Sequence, residues 1–278
     1  MLEIELIRHV KVTGKPALYG CTDIKPIASE NSRLLKYLVA QQKSAKAYQT
    51  IVCSPLIRCQ VLAREFSEAC HLPLEISPDL QEMNFGCFDG VPFDDIPFDN
   101  TPFSEAQSPS IKGQSRKLNE LSPLNELSPE LHWSQLEAFF LAPAEIVLPK
   151  AETLAVFHHR VINAWKILLA QHIAIATKQT ESKTPRRVLV IVHGGVIRMI
   201  LAHILQLDWQ QASWHQKLQI GHGSLSRVFV SQPYQDKKQC RKPTPEPHQQ
   251  QPQYLYQQPS QQLHQQVTAI AIPLLEDF

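Results

Sequence analysis

Short apolar runs alternate with amphipathic segments along this 278-residue chain. Brief apolar runs bounded by turn residues are typical of buried strands, whereas apolar positions spaced three and four residues apart are typical of helices. The predicted strands are 3–7, 50–53, 74–77 and 188–192. The predicted helices are 29–42, 56–70, 154–172 and a segment from Val196 onward. This alternation predicts an α/β fold, a three-layer sandwich around a mostly parallel central sheet.

Two serines mark predicted helix starts. Ser29 is expected to be the N-cap of the first helix, since a serine hydroxyl can accept a hydrogen bond from a free backbone N–H there. Ser54 is expected to be the N-cap of the second helix, with Pro55 at its first position.

Two stretches interrupt the alternation. Residues 91–149 are rich in Pro, Ser, Asn and Phe and contain "LNELSP" twice, at 118–123 and 124–129. Two copies are too few for a repeat architecture, so this stretch is predicted to be an inserted lid with short helices near 133–141. Residues 232–266 are rich in Gln, Pro and Lys, a composition that predicts a disordered loop.

The C-terminal residues regain strand character. "LSRVFV" at 225–230 and "VTAIAIPL" at 267–274 are rich in β-branched residues, which predicts a C-terminal β-hairpin closed by the polar loop. A C-terminus disordered throughout is the alternative. With the hairpin, residues 1–278 form a single domain.

Composition excludes several classes of partner. A net charge of +1, with 43% hydrophobic and 19% charged residues, describes a globular protein without long-range attraction to nucleic acid or anionic membrane. A basic cluster at 237–242 could touch nucleic acid, but a solvated spacer is the stronger interpretation. The N-terminus is not a signal peptide and no segment is long enough to span a membrane, so a cytoplasmic location is expected. The six scattered cysteines are expected to be reduced and mostly buried.

Candidate chemistry lies at the ends of predicted strands. Arg8 and His9 end the first strand and His193 follows the last parallel one, so they should converge at the carboxyl edge of the sheet. Arg58 lies in the first turn of the second helix, where its guanidinium and the free backbone N–H groups favour an anion. Glu82 lies between apolar residues, where its carboxyl group is expected to be partly desolvated and close to the negative charge of a phosphate. Both effects favour the protonated form that a general acid needs. Each residue alone is more often structural, so the prediction depends on their joint order.

Other motifs give weaker signals. The adjacent histidines of "FHHR" at 157–160 point about 100 degrees apart on a helix, so they are interpreted as surface residues rather than metal ligands. No P-loop and no G-x-G-x-x-G follows a strand. "GHGSLS" at 221–226 is expected to be a turn into a strand. His222 or Ser224 could reach the pocket, but a structural role is the stronger interpretation.

The four motifs in their order resemble the histidine phosphatase superfamily, also called phosphoglycerate mutase-like. These motifs are "LIRH", "SPLIRC", "LQEMNFGCFDG" and "VIVHGG", and the resemblance covers residues 1 to about 90 and 149 to about 230. "LYGCTD" at 18–23 is most similar to the α-ribazole phosphatase branch. The resemblance implies that His9 is the nucleophile, forming a phosphohistidine, and that Glu82 donates a proton, with no metal or cofactor. The residues implied to contact the substrate are Arg8, Arg58, His193, Tyr19 and Thr22.

This chain departs from the family pattern in three loops. Val10 stands where many members have glycine, "FDG" at 88–90 replaces Trp-Glu-Gly, and "PKAET" at 149–153 lacks two usual glycines. Substrate contacts in these loops are therefore expected to differ from those of other members.

The resulting hypothesis is a metal-independent phosphomonoester hydrolase, with α-ribazole 5'-phosphate of cobalamin synthesis as the candidate substrate. The alternatives are a phosphoglycerate-mutase-like phosphotransferase and a non-catalytic phospholigand-binding scaffold. The expected partner is a small phosphorylated metabolite, not nucleic acid or a membrane, and a homodimer is possible.

Overall fold

Strands and helices alternate in the computed structural model, which describes residues 1–44, 46–98, 131–178, 184–231 and 263–275. The strands are β1 (Leu2–Arg8), β2 (Thr50–Cys53), β3 (Leu74–Ile76), β4 (Arg186–Val192), β5 (Ser224–Ser231) and β6 (His264–Pro273). The helices are α1 (Ala28–Gln42), α2 (Ile57–Cys70), α3 (Trp133–Leu141), α4 (Leu154–Lys178), α5 (Gly194–Leu205) and α6 (Ala212–Lys217). Three short 3₁₀ turns span Pro78–Leu80, Gly86–Phe88 and Phe93–Asp95.

The six strands form one sheet in the order β3-β2-β4-β1-β5-β6. The first four strands in this order are mutually parallel, whereas β5 and β6 are antiparallel to their neighbours. The mostly parallel α/β fold predicted from the sequence is therefore confirmed.

Alternate residues of the central strands enter two hydrophobic layers. Leu2, Ile4 and Leu6 of β1 pack into a cluster with α4 and α5, while Ile7 packs into a second cluster with α1 and α2. Every residue of β4 after Arg186 is buried, as expected for a strand covered on both faces. These layers make the three-layer sandwich and fix which strand residues can reach the carboxyl edge.

Charged residues also occupy one face of β1. The Arg187 guanidinium lies 2.7 Å from Glu5 Oε1 and 2.9 Å from Glu3 Oε1, and Arg227 Nη2 lies 2.7 Å from Glu5 Oε1. The Tyr48 hydroxyl donates to the other Glu5 oxygen. Glu5 is only 2% exposed, so these cations and this hydroxyl offset the cost of burying its charge.

The predicted C-terminal hairpin is confirmed. β5 pairs antiparallel with β6, and Ser231 lies opposite His264. β6 begins three residues before the predicted strand, within the stretch assigned to the disordered loop. Gln265 explains the difference, since its Oε1 accepts a hydrogen bond from Trp165 Nε1 at 2.9 Å. The rest of that loop, residues 232–262, lies outside the described residues.

Both predicted serine caps are wrong. α1 begins at Ala28 after Ile27, without a side-chain cap. α2 begins at Ile57, whose N–H donates to Asp23 Oδ1 at 2.7 Å. The Ser54 hydroxyl lies ahead of α2, where it accepts hydrogen bonds from the Leu56 N–H at 3.3 Å and from His193 Nε2 at 2.6 Å.

The predicted helix near 133–141 is confirmed by α3. The "LNELSP" copies lie outside the described residues, so the lid remains a prediction. No helix in the described part of the chain is long and apolar enough to cross a membrane.

The cysteine prediction holds in part. The five cysteines in the described residues are free thiols, of which Cys53 and Cys59 are buried and the other three half-buried. Cys240 lies outside the described residues.

Candidate active site

Parallel strands bring the two predicted histidines together. Arg8 of β1 lies opposite Val192 of β4, and the His9 N–H donates to the Val192 carbonyl at 3.0 Å. The rings of His9 and His193 are therefore neighbours, with centroids 5.2 Å apart. The convergence predicted at the carboxyl edge is observed.

One nitrogen of His9 is free for chemistry. His9 Nδ1 lies 2.7 Å from the Val10 carbonyl oxygen, which can only accept, so Nδ1 carries the proton and Nε2 keeps its lone pair. Burial, followed by the charges of Arg58 and Arg8, holds the pKa of His9 well below its usual value. The ring is therefore neutral at physiological pH, as a nucleophile requires.

His193 uses both of its nitrogens within the protein. Arg58 Nε donates to Nδ1 at 3.2 Å, so Nε2 carries the proton and donates to the Ser54 hydroxyl at 2.6 Å. Burial and the Arg58 charge hold the pKa of His193 well below its usual value. If His193 binds a phosphoryl oxygen, Nε2–H must exchange Ser54 for that oxygen.

Arg58 is buried and donates to backbone carbonyls of the loop that contains "LYGCTD". Its Nη1 donates to the Thr22 carbonyl at 2.9 Å, and its Nη2 donates to those of Tyr19 and Gly20 at 2.9 and 2.7 Å. The Tyr19 hydroxyl donates to the Lys15 carbonyl. Tyr19 and Thr22 thus contact Arg58 through their carbonyls, and their predicted substrate contacts remain a prediction.

Asp89 holds the same loop from the other side. Its carboxylate accepts hydrogen bonds from the backbone N–H groups of Gly20, Cys21, Thr22 and Phe85, at 2.8 to 3.2 Å. Burial raises the pKa of Asp89, but hydrogen bonds from the Thr22 side chain and these N–H groups outweigh it and lower the pKa overall. Asp89 therefore fixes the carbonyls that orient Arg58, a role that the sequence analysis missed within "FDG".

Arg8 has an unused donor. Its Nη1 donates to the Ile220 carbonyl at 2.5 Å and its Nη2 to His222 Nε2 at 2.9 Å, but the buried Nε has no hydrogen-bond partner among the described residues. Burial lowers the pKa of Arg8 to about 10, against the attraction of Glu82, so Arg8 is charged at neutral pH. An unpaired buried donor on a cation beside His9 is suited to an anion.

His222 lies beside His9, at a position for which the sequence analysis favoured a structural role over contact with the pocket. Its ring centroid lies 5.3 Å from that of His9. The next residue, Gly223, has a positive φ angle and belongs to the turn before β5. Burial and the Arg8 charge lower the pKa of His222 to about 4, so it accepts from Arg8 as a neutral ring. His222 thereby helps to hold Arg8 beside His9.

The carboxyl group of Glu82 lies beside the N-terminus of α5, at Gly195, which is two residues after His193. Its Oε2 accepts from the Gly195 N–H at 3.0 Å and its Oε1 from the Met83 N–H at 3.2 Å. A Cβ on residue 195 would lie 2.3 Å from Glu82 Oε1, so the second glycine of "VIVHGG" makes room for the carboxyl group. The structure thus places Glu82 in the same site as both histidines.

An ion pair between Arg160 of α4 and Glu152, which precedes that helix, clamps the segment before Glu82. Arg160 Nη1 donates to the carbonyls of Asp79 and Gln81, and Nη2 donates to that of Glu82 at 2.9 Å. Glu152 orients Arg160 through a contact of 2.6 Å. The arginine of "FHHR" is therefore a positioning residue. His159 is exposed on the helix as predicted, whereas His158 is half-buried and stacks on Trp209 with ring centroids 4.4 Å apart.

Val10 faces the core. It is 1% exposed and packs in the second hydrophobic cluster, whose further members include Leu225 and Leu275. Val10 therefore makes a core contact at a position where many members of the family have glycine. This packing does not support the expectation that Val10 alters substrate contacts.

A cavity of about 330 Å³ borders Glu82. Its walls come from the loop before α1, the segment around Glu82, α3, α4, α5 and α6. Among the described residues, no group of three or more His, Cys, Asp and Glu side chains could hold a metal ion, and metal independence stays a prediction. Glu82 lines this cavity, whereas Arg8, His9, Arg58 and His193 are not among its lining residues.

Comparison with known proteins agrees with this geometry. The sequence profile of the histidine phosphatase superfamily (branch 1) matches residues 4–114 and 123–241. No curated protein sequence matches significantly.

Solved structures with a similar fold come from several bacteria. The mycobacterial glucosyl-3-phosphoglycerate phosphatase has a TM-score of 0.56 and 18% identity, covering 82% of this chain and 89% of its own. The α-ribazole phosphatase of Shigella flexneri has a TM-score of 0.54 and 18% identity, covering 83% and 92%. YhfR of Bacillus stearothermophilus has a TM-score of 0.58 and 15% identity, covering 83% and 92%. With the profile match, the paired histidines and the shared fold, this chain belongs to branch 1 of the histidine phosphatase superfamily.

Proposed function

We propose that this protein hydrolyses phosphomonoesters through a phosphohistidine formed on His9 Nε2. The observation that carries the proposal is the tautomer of His9, because the Val10 carbonyl holds the proton on Nδ1 and leaves Nε2 unprotonated. A neutral imidazole beside two arginines suits attack on a phosphate dianion.

The reaction proceeds in two displacements. His9 Nε2 attacks phosphorus, the N–P bond forms, the ester P–O bond breaks, and Glu82 gives its proton to the leaving alcohol oxygen. Water then attacks the phosphohistidine and gives a proton to Glu82 as the N–P bond breaks, which releases phosphate and restores both groups. Arg8, Arg58 and His193 offset the charge on the transferring phosphoryl group.

The unpaired Arg8 Nε supports this role. An arginine that is charged at neutral pH, buried and missing one hydrogen bond gains most from a phosphoryl oxygen at that position. We place the protein in the cytoplasm, where its free thiols stay reduced.

The proposed substrate is α-ribazole 5'-phosphate. The "LYGCTD" resemblance favours this compound, and the apolar cavity beside Glu82 is suited to a flat aromatic base. 3-Phosphoglycerate is the comparison substrate, because a hydrolase and a mutase of this family differ in whether the phosphoryl group passes to water or back to the substrate.

The test compares wild type, His9→Ala and the control His159→Ala with α-ribazole phosphate, 3-phosphoglycerate and phenyl phosphate in the presence of EDTA. We expect phosphate release by wild type and the control, and a loss of at least about a thousandfold in His9→Ala. Acid-labile, base-stable labelling of wild type alone would identify the phosphohistidine.

Three results would refute parts of the proposal. Undiminished turnover by His9→Ala excludes His9 as the nucleophile. Isomerisation of 3-phosphoglycerate without release of phosphate supports a mutase instead. A wild-type protein that is inert on every ester supports a phospholigand-binding scaffold.

A further inference from the structure

The cavity beside Glu82 is lined mostly by apolar side chains. Its apolar and aromatic lining residues are Leu18, Met83, Phe85, Phe139, Phe140, Pro143, Leu154, Phe157 and Met199. Gln216 of α6 donates to the Phe140 carbonyl at 2.8 Å, which joins two walls of the cavity. Four phenylalanine rings in a cavity of this size favour a flat apolar group.

Arg198 brings a positive charge into this apolar lining. It lies on α5 one turn after Gly194, and its Nε donates to the Leu218 carbonyl at 3.1 Å. In the described part of the chain, neither Nη1 nor Nη2 has a hydrogen-bond or ion-pair partner, and Glu82 lies beyond ion-pair distance. The end of the guanidinium therefore keeps up to four N–H donors for the cavity.

Within the described residues, a single hydrogen bond, from Nε to the Leu218 carbonyl, holds Arg198 at this place. Burial lowers the pKa of Arg198, which measures the cost of holding the charge there, and Glu82 only partly opposes this effect. A half-buried guanidinium among phenylalanine rings is stabilised most by an acceptor that enters with a ligand. By contrast, both Nη atoms of Arg58 and both Nη atoms of Arg160 donate to backbone carbonyls.

We infer that the preferred substrates are phosphomonoesters whose alcohol part combines a flat apolar body with a hydrogen-bond acceptor that reaches the Nη atoms of Arg198. This inference rests on the proposed function. It makes Arg198 a specificity-determining residue that binds the leaving group, whereas Arg8 and Arg58 serve the phosphoryl group. A ring nitrogen, a carbonyl and a carboxylate all satisfy the acceptor requirement.

The test uses three aryl phosphates of similar shape. Phenyl phosphate lacks an acceptor, 4-acetylphenyl phosphate carries a neutral acceptor, and 4-carboxyphenyl phosphate carries an anionic acceptor. Each is assayed with wild type, Arg198→Met and the control Arg64→Met, an exposed arginine of α2. The ratio of variant to wild type is taken for each ester separately, so that differences in leaving-group pKa cancel.

We expect Arg198→Met to lose kcat/KM about 10- to 100-fold on the two acceptor esters, chiefly through KM, and less than about threefold on phenyl phosphate. A larger loss on the carboxylate than on the ketone assigns the natural acceptor as an anion, and equal losses assign it as neutral. A second variant, Phe139→Leu, should raise KM for all three esters because it removes an aromatic wall.

Two outcomes overturn the inference. Equal losses on all three esters, with a displaced pH profile of kcat, would mean that Arg198 acts through Glu82. Equal activity of Arg198→Met and wild type on every ester would mean that the cavity does not receive the leaving group.

Binding separates the inference from the proposed function. Calorimetry with benzylphosphonate and 4-carboxybenzylphosphonate needs no turnover. Suppose that wild type is inert but binds the carboxylated compound at least about tenfold more tightly, and that Arg198→Met abolishes this difference. The proposed hydrolysis then fails, while the ligand preference assigned to Arg198 stands. Equal affinity for both compounds overturns the inference even if hydrolysis is observed.

Discussion

Replacing Asp89 with asparagine should loosen the loop that orients Arg58. Asp89 Oδ1 accepts from the N–H groups of Gly20 and Thr22, and Oδ2 accepts from those of Cys21 and Phe85. An asparagine of the same shape presents an NH₂ group in place of one oxygen. Whichever way the amide turns, two backbone N–H groups lose their acceptor.

The magnitude follows from those two bonds. A hydrogen bond to a charged group contributes about 1.5–3 kcal/mol, so Asp89→Asn should lower the free energy of unfolding by about 3 kcal/mol, with water replacing part of the loss at this half-buried position. Because Arg58 is held by the carbonyls of this loop, kcat/KM should fall about tenfold or more even where the variant is fully folded.

Urea unfolding and phenyl phosphate hydrolysis are the assays, with Asp94→Asn as the control. Asp94 is exposed in the next 3₁₀ turn and makes no hydrogen bond or ion pair within the described ranges. The folded pKa of Asp89 is lowered, so its stabilisation is complete above its unfolded pKa near 3.8 and is lost as the pH falls through the folded pKa. The difference between wild type and Asp89→Asn should therefore shrink below about pH 4. Unfolding free energies for Asp89→Asn and Asp94→Asn that agree within about 0.5 kcal/mol would refute the reasoning.

Three further predictions concern other buried groups. Arg160→Met should lower kcat about tenfold with a smaller change in KM, because the backbone of Glu82 loses its clamp; steady-state kinetics measures the split. Arg187→Met should lower the free energy of unfolding by about 3–5 kcal/mol in urea, because it removes the more buried of the two arginines that pair with Glu5. Burial lowers the pKa of His172 to about 4, so this histidine is protonated at a higher pH in the unfolded chain than in the folded protein. The free energy of unfolding therefore falls as the pH drops below about 6.5. In urea titrations, His172→Leu should remove about 2 kcal/mol of the loss between pH 7 and pH 5.

Matched surface variants check each of these effects. Arg64→Met removes an exposed arginine that bonds only Gln60 on its own helix, and His159→Leu removes an exposed histidine of α4. If Arg160→Met left kcat unchanged, the clamp would have no effect on Glu82. If Arg187→Met were as stable as Arg64→Met, or His172→Leu kept the pH slope of wild type, the corresponding burial argument would be wrong.

The residues proposed to react could be predicted from the sequence because they follow strands. Arg8, His9 and His193 come at the ends of apolar runs, and parallel pairing alone brings such positions to one edge. β6 was also predictable, since its β-branched residues stand out against the polar segment before them.

The supporting residues could not be predicted in the same way. Arg160 reaches carbonyls about 80 positions earlier in the chain, and Asp89 binds N–H groups about 70 positions earlier. No local pattern encodes such distances. Ser54 shows the converse, because its place before a helix favoured a cap while the fold assigned its hydroxyl to His193.

The pairing of β5 with β6 also bears on how this chain can change over evolutionary time. Ser231 and His264 lie side by side in the sheet, so the two ends of the intervening segment are close together. The entropic contribution to the free energy of closing a loop rises by only about 0.6 kcal/mol for each doubling of the loop's length. Segments of very different length can therefore be exchanged there at small cost in stability. Related chains should therefore vary in length between these two strands while the edge that carries His9 and His193 stays the same.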